Sequence, residues 1–215
     1  MGIHRVYETL FRGFRRRRMR AFAETFRPHA GTAILDVGGT PLNWSLLGCD
    51  SDLTLLNLAL PEGFETLPGN YSFVVGDAID LEFEDGAFDI AFSNSLIEHL
   101  ETPERQRAFA REIRRVARAV WVQTPARSFP FEPHLLAPFI HWLPPHWQKK
   151  LARYFTGWGL ISRPSRERVA RVVDEIRLLG HADMRDLFPD CEIRRERFLG
   201  LTKAYVAVRR PGSLR

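Results

Sequence analysis

Short apolar runs punctuated by turn residues recur along the middle of the chain. Residues 33–37 (AILDV), 53–57 (LTLLN), 71–75 (YSFVV), 88–92 (FDIAF) and 119–123 (AVWVQ) each have the length of a strand. Runs that are apolar at successive positions suit strands covered on both faces, as in a parallel sheet. Helical spacing fills the intervals after the fourth and fifth runs. Residues 103–117 predict a helix that Thr102 can cap, with a basic outer face. Residues 165–179 predict another, with Ser165 at its N-cap, and residues 181–188 a shorter one stopped by Pro189. Two closing runs, 191–198 and 203–208, are joined by Leu199-Gly200-Leu201-Thr202, a link that suits an antiparallel pair at one sheet edge. Strands alternating with crossovers predict an α/β fold with a mostly parallel sheet.

Two stretches break this rhythm. At the N-terminus, Ile3, Tyr7, Leu10, Phe11, Phe14, Met19, Phe22 and Phe26 form an apolar stripe at helical spacing, interrupted by the basic run 15–18. The pattern predicts a helix packed over one end of the sheet with its arginines in solvent. A helix lying on an anionic membrane surface, or one contacting phosphate, is the alternative. The second stretch, 126–164, is rich in proline and aromatic residues and too apolar for a disordered linker. It follows a strand's C-terminal end, where a lid or pocket wall is expected; a surface excursion folded on its own aromatics is the alternative. The chain thus divides into an N-terminal basic helix (1–31) and a domain (32–210) carrying the insertion 126–164.

The first strand leads straight into Gly38 and Gly39, then Thr40 and Pro41, a plausible N-cap and first helical residue. A strand, a glycine turn and a helix N-terminus make a nucleotide site in open α/β sheets, or simply a tight turn. Length and composition bound the rest. The 215 residues suit one domain, and no apolar run approaches the roughly 18 residues of a membrane span. The arginine-rich start has no following apolar core or cleavage site of a signal peptide. Cys49 and Cys191 make no disulfide framework or metal spacing, which with the foregoing predicts a cytoplasmic protein. The net charge is +5, and Lys149, Lys150 and Lys203 are the only lysines. An arginine-rich balance points to an anionic partner or to codon bias, and says little about fold.

Taken together, ILDVGG (34–39), LTLLNL (53–58), VVGDA (74–78), FDIAFSNSLIEHL (88–100) and AVWVQTP (119–125) resemble the class I S-adenosylmethionine-dependent methyltransferases, in the branch acting on small molecules and on glycan or lipid intermediates. PFEPHLLAPFIHWLP (130–144) resembles inserts of bacterial members of that branch. The resemblance implies a Rossmann-like three-layer sandwich whose seven-stranded sheet is mostly parallel with one antiparallel edge strand. S-adenosylmethionine would lie across the C-terminal strand ends. Asp36 would then sit near the cofactor's amino group, with Gly38 and Gly39 admitting its methionine and ribose. Asn57 would meet the ribose hydroxyls, Asp77 and the Ala78 N–H the adenine, and the carbonyls near Ser93 and Asn94 the ammonium. Thr40 stands where the family usually has glycine, and Asn57 where it usually has an acid. A non-catalytic cofactor-binding module on the same fold is therefore a second reading.

Methyl transfer to a hydroxyl benefits from a base near neutral pH, a task for histidine. His134, in the insertion, is the first candidate, and Glu98 and His99 are the next, unless they are a helix-start and packing pair. His141 lies seven residues beyond His134, with Pro138 between them. A three-histidine metal site with His146 lacks a supporting signature, so no metal is expected. The expected partner is a small-molecule or glycan- or lipid-linked acceptor, with at most weak peripheral membrane contact through the N-terminal helix. A nucleic-acid methyltransferase is disfavoured. The chain has no Asn/Asp-Pro-Pro-aromatic motif, and neither cysteine follows a proline.

Overall fold

The computed structural model describes residues 3–48, 50–60 and 69–212, with side chains from Arg12 onward. Cys49, residues 61–68, and the side chains of Ile3, Tyr7, Leu10 and Phe11 lie outside the described residues. In chain order the strands are β1 (Ala33–Val37), β2 (Asp52–Asn57), β3 (Tyr71–Val75), β4 (Phe88–Asn94), β5 (Ala117–Pro125), β6 (Phe131–Glu132), β7 (Ala137–Pro138), β8 (Glu192–Phe198) and β9 (Leu201–Arg209). The helices are α1 (Ile3–Phe26), α2 (Pro41–Ser45), α3 (Pro103–Arg115), α4 (Pro145–Phe155), α5 (Gly157–Ser162), α6 (Arg166–Glu175) and α7 (His181–Leu187).

Seven strands form one mixed sheet in the order β3-β2-β1-β4-β5-β9-β8. β1 to β5 run parallel, and β9 is antiparallel to both β5 and β8. The closing hairpin is at the sheet edge, as the pattern predicts. Its antiparallel member, however, is the inner strand β9, and the edge strand β8 runs with the rest. This follows from the connection: Leu199 and Gly200, both left-handed (φ +48° and +80°), make a two-residue turn that lays β9 beside β8.

Adjacent residues of a strand point to opposite faces. Ile34, Leu53, Leu55, Ile90, Phe92 and Trp121 therefore pack on one side of the sheet, under Met19 and Phe22 of α1 and Trp44 of α2. Leu35, Val37, Leu56, Ala91, Val120 and Val122 pack on the other, against Phe109 and Ile113 of α3 and Met184 of α7. Phe22 is fully buried and meets Trp44, Phe92 and Trp121 edge-on. The expected helix starts recur in the structure: Thr102 Oγ1 accepts from the Arg105 N–H, and Ser165 Oγ from the Arg168 N–H. Thr40 caps α2 by position, without a side-chain bond.

The arginine run corrects one expectation. Arg16 and Arg17 are exposed, but Arg18 is buried. Its guanidinium grips the Glu196 carboxylate through two bonds of 2.7 and 2.9 Å, and donates to Asn94 at the end of β4. The insertion 126–164 holds the short β6–β7 pair, α4 and α5. Leu135, Ala137, Ile140, Ala152 and Trp158 form a cluster of their own with Val169 and Val173 of α6. Among the described residues, no helix is long and apolar enough to cross a membrane.

Candidate active site

The strand order reverses direction at β1 and β4, the place where open α/β sheets bind ligands beyond the C-terminal ends of their parallel strands. Asp36, Asn57, Asp77, Ser93 and Asn94 all fall at or just beyond those ends. Asp36 is fully buried; its Oδ2 accepts from Trp44 Nε1 at 2.7 Å, while Oδ1 has no hydrogen-bond partner among the described residues. Burial, opposed by the Trp44 bond, pushes its carboxyl up to about 7. Gly38 is left-handed (φ +78°), and its N–H bonds the Leu56 carbonyl at 2.8 Å. Gly39 lies so close to Asp36 that a Cβ there would come within 1.9 Å of the carboxyl carbon. The backbone at this turn thus hugs the carboxylate where no side chain intervenes.

Around this turn the remaining groups are already oriented. Asn57 Nδ2 donates to the Gly39 carbonyl at 2.8 Å, which leaves its Oδ1 as an acceptor. Asp77 accepts from the Ile79 N–H at 3.2 Å and faces Arg105 at 3.4 Å; Ala78 is buried behind it. Ser93 Oγ donates to the Val37 carbonyl at 2.9 Å and ties β4 to β1. An orphaned buried carboxylate oxygen beside a glycine cradle fits the ammonium and methionine of S-adenosylmethionine. Neutral donors and acceptors at Asn57 fit its ribose, and the Asp77 carboxylate an exocyclic amine.

Beyond β4 the chain turns sharply at Ser95 (φ +58°), whose N–H bonds the Gln123 carbonyl. The short turn 97–99 follows. It buries Glu98, whose Oε2 accepts from Thr124 Oγ1 at 2.9 Å and whose Oε1 has no hydrogen-bond partner among the described residues. His134 reaches the same place from the link between β6 and β7. Its Nδ1 bonds Glu132 Oε1 at 2.6 Å, its Nε2 lies 3.8 Å from Glu98 Oε1, and its ring meets His99 edge-on at 4.7 Å. Burial alone lowers the His134 pKa, and the Glu132 carboxylate, through its charge and its hydrogen bond, together with the charge of Glu98 more than reverses this, so the ring sits above its ordinary value. Glu132 in turn is held below the usual carboxylate range by His134 against the effect of burial. Burial pushes Glu98 up, opposed by the charge of His134.

These side chains border a cavity of about 590 Å³. Asn94, Ser95 and Gln123 form its floor at the strand ends, and His99 and His134 one wall. Phe14, Phe129, Phe131 and Phe198 make the remaining walls apolar, with Arg15, Arg18 and Lys203 between them. Within the insertion, the cavity is lined by Phe129, Phe131, Pro133 and His134, while Leu135, Ala137, Ile140, Ala152 and Trp158 pack on α6.

The structure thus brings Glu98, His99 and His134 together and sets them beside Asn94. It separates His141, whose Nε2 bonds the Arg127 carbonyl, because β7 and a tight turn replace any helix across Pro138. Sequence reasoning missed Glu132, Arg18 and Lys203. Glu132 is the only acidic residue between Glu112 and Glu167 and lies two positions from His134, a spacing that shares a face in extended chain. That signal was available. Nothing local marks Arg18 as the buried member of its run.

Comparison with known proteins bears on the fold and on the first half of the sheet. A family model described as a methyltransferase domain matches residues 31–119. Ajmaline N-methyltransferase of Rauvolfia serpentina is 47% identical over 60 residues, which cover 28% of this chain and 19% of that protein. The match thus spans about one fifth of that relative's length. Among solved structures, 1,6-didemethyltoxoflavin-N1-methyltransferase of Burkholderia thailandensis superposes with a TM-score of 0.56 at 13% identity, covering 90% of this chain and 76% of that one. Phosphoethanolamine N-methyltransferase 2 of Haemonchus contortus does so at 0.54 and 15%, covering 83% and 38%. At these identities the structures attest the fold. Residues 31–119 hold β1 to β4, whose ends bear the glycine turn and the polar groups around it. It is therefore the β1–β4 half of the sheet that matches, and over residues 31–119 the chain is similar to a class I S-adenosylmethionine-dependent methyltransferase domain.

Proposed function

We propose that this protein transfers a methyl group from S-adenosylmethionine to a small-molecule acceptor bound in the cavity between α1 and residues 129–134. The observation that carries the reading is the meeting of two environments at Asn94 and Ser95. The glycine turn and the polar groups at the strand ends lie on one side, and a largely apolar chamber, walled in part by His134 on its buried partner Glu132, on the other. Apolar chambers with a few placed polar groups suit small molecules.

S-adenosylmethionine supplies a methyl on a sulfonium, which makes it strongly electrophilic. In this reading Asp36 and the carbonyls at Ser93 and Asn94 hold the ammonium, Gly38 and Gly39 admit the methionine chain, Asn57 takes the ribose, and Asp77 with the Ala78 N–H takes the adenine. The aromatic walls align the acceptor and exclude water. His134 removes the acceptor proton through Nε2, because Glu132 occupies Nδ1. Glu98 and His99 fix where that nitrogen faces. The test is calorimetry with S-adenosylhomocysteine on the full chain, followed by an acceptor screen with labelled cofactor. Binding with transfer supports the reading. Binding with no transfer to any acceptor class favours a cofactor-binding module, and no binding at near-millimolar ligand refutes both.

A further inference from the structure

We propose that Glu98, His99 and His134 form a binding site for a divalent transition-metal ion, of the kind zinc exemplifies, on the wall of the same cavity. One ligand atom from each of the three residues can be chosen so that all lie within 4.8 Å of one another. Glu98 Oε1 and His134 Nε2 are 3.8 Å apart. Ligands about 2.0–2.1 Å from a tetrahedral ion stand roughly 3.3 Å from each other, so small side-chain rotations close the set.

An independent observation points at the same spot. Glu98 is fully buried and is anchored through Oε2 on Thr124, yet among the described residues nothing hydrogen-bonds Oε1, which lies 3.8 Å from His134 Nε2. A buried carboxylate oxygen without a partner is costly unless a cation completes it. The His134 ring is set for that role. Glu132 holds Nδ1, which directs the lone pair of Nε2 toward Glu98; a carboxylate behind a histidine is the usual support of a histidine ligand. The charges also balance, since one dication offsets the two buried carboxylates of Glu98 and Glu132. Two imidazoles and one carboxylate make a donor set suited to zinc and its neighbours rather than to magnesium or calcium. Three protein ligands leave a fourth position open, and His99 and His134 line the cavity on that side.

The consequence for chemistry rests on the proposed methyl transfer, but the site itself does not. With an ion bound, the Nε2 lone pair is used in coordination, and His134 no longer takes the acceptor proton. An acceptor oxygen on the open position would instead lose its proton to solvent more readily, as metal-bound hydroxyls do.

The experiment uses the full chain stripped with chelator. Zinc affinity is read by competition with a chromophoric chelator, and cobalt is added separately for its visible spectrum. The expected result is one ion per chain and the intense visible bands of low-coordinate cobalt. His99→Ala and His134→Ala should each weaken zinc at least tenfold, and Glu132→Gln by about 10- to 100-fold through the supporting bond. His146→Ala, outside the cluster, should bind as the parent does. His99 is exposed, so its variant keeps the test valid should Glu98→Gln or His134→Ala fail to fold. No stoichiometric binding at 100-fold excess over chain, or equal affinity in His99→Ala and the parent, overturns the proposal. S-adenosylhomocysteine binding in the same samples reports the cofactor reading separately, so failure of one is not failure of the other.

Discussion

Replacing Gly39 by alanine tests the cofactor cradle most directly. The added Cβ would stand 1.9 Å from both Cγ and Oδ2 of Asp36 and 2.4 Å from Oδ1, where ordinary contact begins beyond about 3.4 Å. Asp36 has little room to yield. It is fully buried, its backbone is paired to β2 and β4, and its Oδ2 holds the Trp44 indole. Either the glycine turn withdraws by more than an ångström or the carboxylate leaves Trp44. Overpacking of this kind costs about 1–3 kcal/mol, and loss of the indole bond adds roughly 1 kcal/mol. In a chain of this size each kcal/mol lowers Tm by about 2–4 °C. The turn is also the surface against which the cofactor would lie, so S-adenosylhomocysteine affinity should fall at least tenfold. Differential scanning calorimetry and isothermal titration read the two effects. Gly13→Ala is the control: a Cβ there meets nothing within 4 Å, and in mid-helix it should stabilise by about 0.5–1 kcal/mol. A Gly39→Ala protein that melts with the parent and binds with parental affinity would refute the cradle.

Three further outcomes are expected. The Asp36 carboxyl stands at about 7 in the folded protein against 3.8 when unperturbed, so the fold binds this proton more tightly than the unfolded chain. Its contribution to stability is complete below pH 4 and declines as pH rises to 7. An ammonium ligand needs the ionised form, so cofactor affinity should rise about tenfold per pH unit up to 7. Titrations from pH 5.5 to 8 check this, and a flat profile would detach Asp36 from the ammonium. His134→Ala should cut turnover by about 10²-fold or more with cofactor affinity nearly intact, by radiolabel transfer; normal turnover would return His134 to a structural role. Phe22→Ala, in the heart of the α1 contact, should cost about 3–5 kcal/mol in urea unfolding, whereas Arg16→Ala should change it by less than about 0.5 kcal/mol. Equal effects would mean that α1 is not anchored through its apolar stripe.

Much of the sheet was legible because burial leaves a local imprint. The inner strands β1, β4 and β5 are apolar at successive positions since both faces are covered, while the edge strand β3 is only partly buried, and the caps at Thr102 and Ser165 are written in side chains that bond three residues ahead. The glycine turn was legible for the same reason: the residues that make it are contiguous. Where expectations fell short, the missing information was a distant partner. Arg18 reads like its neighbours Arg16 and Arg17 until Glu196, 178 positions away, is brought under it. The inner position of β9 depends on which strand pairs with β5, and the β8 and β9 segments are each compatible with either place.

The sequence by itself determined the strands of the main sheet, the helices α3, α6 and α7 outside the insertion, and the chemistry available at the strand ends, but not β6, β7, α4 and α5. Periodicity, capping and turn residues act over a few positions and owe nothing to the rest of the chain. Only the tertiary structure decided which polar groups meet. Glu98 and His134 are 36 positions apart, and neither carries a mark of the other. Their approach depends on the left-handed turn at Ser95 on one side and the β6–β7 pair on the other. Glu132 becomes significant only once that pair folds and its carboxylate is shut away from water with the imidazole as its partner. Burial of an apolar side chain is favourable against almost any apolar neighbour, so it can be read without knowing the neighbour. A buried charge is tolerable only beside one specific complement.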